Sequence, residues 1–94
     1  MVNTTRPELF HRIAEQESAA ARRRTVELGL ADVVAFRNVD FESHGAALAE
    51  RGGERTPALW DGTRLHVGLD AVVAALQGLA SMPLSAAEPQ PKRG

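Results

Sequence analysis

With 94 residues, no cysteine and a formal net charge of −1 from 11 basic and 12 acidic side chains, the chain has room for one domain. It offers no global attraction for nucleic acid or an anionic membrane. The missing sulfur excludes disulfides, thiolate metal sites and any cysteine nucleophile or resolving thiol. No segment approaches the roughly 20 apolar residues of a membrane helix, and the first thirty residues lack a basic stretch leading into an apolar run, so the expected compartment is the cytoplasm.

A polar stretch, residues 1–6, precedes Pro7. From Glu8 to Ala14, Leu9, His11 and Ile13 alternate with Phe10, Arg12 and Ala14, which predicts a strand. Residues 16–30 turn to alanine, arginine, glutamate and leucine and predict a helix. Its buried stripe is Ala21, Thr25 and Leu28, flanked by Val26 and Leu30; Arg23 and Glu27 stand at the spacing of an exposed pair, and Gly29 fits the end. Val33 to Val39 is a β-branched run short enough for a strand buried on both faces. Strand, helix and strand in succession imply a parallel pair with a right-handed crossover.

Ser43 to Arg51 predicts a short second helix stopped by Gly52-Gly53. Ala58-Leu59-Trp60 and Thr63 to Val67 flank Asp61-Gly62, which predicts a hairpin with a two-residue turn. Leu69, Val72, Val73, Leu76, Leu79 and Ala80 repeat at helical spacing, predicting a helix over 69–80. Beyond Pro83 the periodicity disappears, and residues 83–94 read as a mobile tail. The expected organisation is a polar start over 1–6, one domain over 7–80 and a tail over 81–94.

The order βαβ, helix, β-hairpin, helix resembles the thioredoxin-like superfamily, closest to glutaredoxins and the amino-terminal domain of glutathione transferases. The likeness covers residues 7–80. Its most specific segments are Thr56-Pro57-Ala58-Leu59-Trp60-Asp61-Gly62, similar to the family's cis-proline segment and hairpin, and Gly68-Leu69-Asp70, similar to the start of its last helix. The resemblance implies an α/β, thioredoxin-like (glutaredoxin-like) βαβ-α-ββα fold, with a four-stranded mixed sheet and flanking helices. The family's active-site loop, which carries Cys-x-x-Cys or Cys-x-x-Ser after the first strand, matches Glu15-Gln16-Glu17-Ser18 here. Both thiol positions, Glu15 and Ser18, are therefore vacant, which contradicts the family's usual thiol–disulfide activity.

What the resemblance still implies is a ligand edge at Thr56-Pro57, with a cis bond and backbone groups turned toward an extended peptide or glutathione. Gly68, Leu69 and Asp70 would present amides at a helix start to the γ-glutamyl end of glutathione, or Asp70 would simply cap that helix. Glu15, Glu17 and Ser18 could supply acid–base or hydrogen-bonding groups, or interact with the helix dipole. Arg22-Arg23-Arg24 spreads around a helix and reads as a solvated, partly paired face. His11, His44 and His66 fall on different elements without metal-ligand spacing, so no metal is assigned. Trp60 either packs in the core or lines the cleft beside Pro57.

The leading expectation is a non-redox, glutaredoxin-like binding or adaptor protein with no catalytic residues, recognising an extended peptide of a protein partner, or glutathione, at Thr56-Pro57. One alternative is a cysteine-independent, glutathione transferase-like enzyme in which Ser18 stabilises a thiolate; residues 81–94 carry no all-helical second domain of the kind that family has. Another is a structural or homodimerising module with a shared apolar surface. Neither nucleic acid nor membrane is an expected partner.

Overall fold

Apolar residues two apart mark the strands, and residues three or four apart mark the helices that cover them. The structure, a computed structural model, describes residues 6–81. The order is β1 (Glu8–His11), α1 (Gln16–Glu27), β2 (Ala35–Asn38), α2 (Glu42–Glu50), β3 (Ala58–Trp60), β4 (Leu65–Val67) and α3 (Leu69–Ser81). The strands form one mixed sheet in the order β2-β1-β3-β4. β1 runs parallel to β2 with Leu9 beside Phe36, and antiparallel to β3 with Leu9 beside Leu59. β3 and β4 are antiparallel, with Ala58 beside Val67. The result is a small α/β fold compatible with a thioredoxin-like arrangement.

Because neighbouring side chains on a strand face opposite ways, Leu9 and Phe10 enter two separate cores. Leu9 and Leu59 pack with Ala21 of α1 and with Val72 and Leu76 of α3. On the other face, Phe10 and Ala58 pack with Val39 and with Leu48 of α2. Thr25, wholly buried in α1, satisfies its hydroxyl by donating to the Ala21 carbonyl at 2.8 Å. Gly29 closes α1 with φ +74°, while the amides of Gly29 and Leu30 donate back to the Val26 and Thr25 carbonyls. That pair of bonds is a Schellman ending, which requires a left-handed residue where the glycine stands.

Several boundaries differ from the sequence expectation. β1 stops at His11, and Ile13 lies in a turn with 60 % of its surface exposed. β2 is an edge strand, not one buried on both faces, and Phe36 is exposed. Val33 lies in the turn before β2, and Val26 faces solvent. In α1 it is Arg24, not Arg23, that pairs with Glu27, at 3.2 Å. The hairpin turn is displaced by one residue: the Asp61 amide donates to the Arg64 carbonyl, so Gly62 and Thr63 are its central pair. The Asp61 carboxylate accepts from the Arg64 amide at 2.9 Å, replacing a backbone acceptor. α3 runs one residue past Ala80 to Ser81. The mobile tail expected over 83–94 lies outside the described residues. No helix among the described residues is long and apolar enough to cross a membrane.

Candidate binding site at the carboxyl end of the parallel strands

β1 leads into α1 through Arg12 to Glu15, and α1 begins without a conventional side-chain cap. Glu15 occupies the N-cap position in extended conformation, with no capping bond from its side chain. Its carboxylate turns the other way: Oε1 accepts from the Ser18 hydroxyl and, at 2.7 Å, from the Thr56 hydroxyl. Ser18 is wholly buried, and its oxygen accepts the Arg12 amide at 3.1 Å. Glu15 and Ser18 thus form a connected polar pair that ties the start of α1 to the segment before β3.

The charge on Glu15 follows from these contacts. Partial burial works to raise its pKa, but the Ser18 and Thr56 hydroxyls and the Arg12 charge outweigh it and hold the carboxyl below 4.5. An ionised carboxylate accepts hydrogen bonds and donates none. With both hydroxyls on Oε1, Oε2 has no hydrogen-bond partner among the described residues. Arg12, the cation whose charge acts on Glu15, is shared with Asp40 at 3.3 Å, both side chains standing about half in solvent.

The sheet register brings the remaining candidates to the same place. Phe10 lies beside Ala58, so Pro57 and Thr56 continue toward the end of β1. The Thr56–Pro57 bond is cis. Ala58 lies beside Val67, so Gly68 meets Pro57, and the Gly68 amide donates to the Pro57 carbonyl at 2.9 Å. That amide is therefore committed within the fold. Leu69 packs partly against the core of Leu9 and Leu59. Asp70, exposed in the first turn of α3, bonds to no other described residue and caps nothing; acidic charge there still suits the helix dipole. The backbone amide and carbonyl of Thr56 likewise bond to no other described residue.

Two features had no counterpart in the sequence reading. A cleft of about 530 Å³ opens between the end of β1, α2 and the loop after it, lined by Arg12, Val39, Leu48, Gly53 and Glu54 among others. It is within the size range of small-ligand sites. Beside β1, the Arg22 guanidinium turns from the expected solvated face of α1 onto the strand, donating to His11 Nδ1 at 3.1 Å and to the Arg12 carbonyl at 3.2 Å. A guanidinium only donates, so Nδ1 accepts and the ring proton sits on Nε2. Burial lowers the His11 pKa, the Arg22 and His44 charges lower it further, and Asp40 opposes them. The neutral ring packs edge-on to Phe36, with centroids 5.9 Å apart.

Trp60 pairs with Glu8 at the opposite end of β3 and does not line the cleft. It packs beside the Phe10 core under the Arg51 guanidinium, 4.4 Å from the ring centroid. His66 pairs with Asp61 in the hairpin at 2.7 Å, far in sequence from His11 and His44. Among the described residues, no group of three His, Asp or Glu side chains is placed to hold a metal ion. No family model matches this chain, and no curated protein matches it.

Proposed function

We propose that the protein is a thioredoxin-like binding module, related in fold to glutaredoxins and to the amino-terminal domain of glutathione transferases, that pairs an extended peptide with the backbone of Thr56. The strand order β2-β1-β3-β4, with a parallel first pair and an antiparallel last pair, supports that fold reading. The observation that carries the function is the state of Thr56: its hydroxyl is anchored on Glu15 while its amide and carbonyl bond to no other described residue. An anchored segment with free backbone groups is a template for an added strand.

A peptide is favoured over glutathione because the Gly68 amide is already used by Pro57, and exposed Asp70 adds negative charge to the first turn of α3, which disfavours an anionic ligand end there. The transferase-like alternative loses its main group in Ser18, whose buried hydroxyl is committed to Glu15 and to the Arg12 amide. Titration of ¹⁵N-labelled protein with a blocked, uncharged peptide of alternating alanine and valine tests the reading. Saturable shifts centred on Thr56 and Ala58 are expected. No saturable shift there at millimolar peptide overturns it, and saturation by glutathione instead restores the glutathione reading.

A further inference from the structure

Resting on the peptide-binding reading, we propose that Glu15 makes the Thr56 edge selective for peptides that bring a lysine or arginine side chain beside it, and unfavourable to peptides carrying an acid at that position.

The two motif positions differ sharply in what they present to a ligand. Ser18 is wholly buried and its hydroxyl has both a donor and an acceptor partner. Glu15 is half-buried, and its Oε2 bonds to no other described residue. A strand pairing with the Thr56 amide and carbonyl lies next to the carboxylate, because Thr56 itself touches Glu15 at 2.7 Å. An ionised acid has acceptor capacity only, so a ligand group that reaches it must donate. A cation satisfies that requirement with a charge-assisted bond; an acid or a thiolate meets like charge.

The surrounding charges leave that preference in place. Arg12 is the cation that acts on Glu15, and its guanidinium is shared with Asp40. Arg22 is turned inward onto His11 and the Arg12 carbonyl. Arg55, immediately before Thr56, is exposed and makes no ion pair with Glu15. Among the described residues, Glu15 has no ion-pair partner of its own, and the Thr56 amide and carbonyl it borders make no hydrogen bond.

Three blocked peptides of the alternating alanine–valine sequence, differing only in lysine, norleucine or glutamate at one position, test this by ¹⁵N titration at low salt. Norleucine matches the lysine stem without its charge. The expected order of affinity is lysine, norleucine, glutamate, with roughly tenfold or more between the first and the last. In Glu15→Gln, whose amide oxygen can still accept from Ser18 and Thr56, the lysine and glutamate peptides should bind within about twofold of each other. Equal binding of all three to the unmodified protein, with shifts at Thr56, overturns the selectivity while leaving peptide recognition intact. A lysine preference that survives in Glu15→Gln assigns the selectivity elsewhere and also overturns it. Binding of none of the three overturns the peptide-binding reading itself. The comparison in the unmodified protein stands even if the variant folds poorly.

Discussion

Replacing Thr56 with valine removes one hydroxyl and keeps the branched shape of the side chain. The lost bond joins residues 41 apart in sequence, from Thr56 Oγ1 to Glu15 Oε1 at 2.7 Å. A hydrogen bond to a charged group contributes about 1.5–3 kcal/mol when buried. Both partners here are half-buried, and water replaces part of the bond in the variant, so the expected loss is about 1–2 kcal/mol. In a domain of this size 1 kcal/mol moves Tm by about 4–8 °C, which puts the expected fall at roughly 5–15 °C. Urea melts of Thr56→Val, Glu15→Ala and the double variant form a cycle, with an expected coupling of about 1 kcal/mol. A Thr56→Val variant within about 0.3 kcal/mol of the parent, or a strictly additive cycle, would refute the claim that this bond ties α1 to the segment before β3.

Acid should weaken the fold in a window set by His11. Its folded pKa is below 6.5, so as pH falls under 6.5 the unfolded chain takes up a proton that the folded chain refuses, and stability declines until the folded value is passed. The stabilisation is complete above 6.5, and an NMR titration midpoint for His11 at or above 6.5 would contradict the assignment. Gly53→Ala should cost about 1–3 kcal/mol through overpacking, because an added Cβ would sit 2.5 Å from Leu65 Cδ2 and 2.8 Å from Leu48 Cδ1. An unchanged Tm would mean that those side chains move aside freely. Leu76→Ala, deleting a fully buried side chain of α3, should lower stability by about 2–5 kcal/mol in urea melts. A loss under about 1 kcal/mol would place Leu76 outside the main core.

Local chemistry was the legible part of the chain. The Gly29 ending of α1, the Leu9/Phe10 alternation and the 3–4 spacing of Leu69, Val72 and Leu76 each depend on residues a few positions apart, where pattern and geometry are directly linked. The convergence of Pro57 and Gly68 was not within reach: a turn centred on Asp61-Gly62 sets Pro57 beside His66, and only the displaced turn brings Gly68 there. Neither was sheet order: nothing in the periodicity of Val33 to Val39 distinguishes an edge strand from a central one, so the exposure of Phe36 had no local signal. The turn lies one residue beyond the Asp61-Gly62 dipeptide, where the Asp61 carboxylate replaces a backbone acceptor for the Arg64 amide. The Glu15–Thr56 and Arg22–His11 contacts, 41 and 11 residues apart, exist only once the fold is assembled. So does the cleft beside α2, whose glycine lining looks like simple helix termination in sequence.

The claim on which the function rests is that the open backbone of Thr56 is itself the surface that pairs with a peptide. Residue-resolved amide hydrogen exchange of Thr56, with and without saturating alanine–valine peptide, tests it directly. Pairing predicts that the Thr56 amide slows by roughly tenfold or more on binding, while core amides such as Leu59 are unchanged or slow by less. Exchange at Thr56 that stays fast in the presence of a peptide that demonstrably binds would place recognition elsewhere and contradict the account.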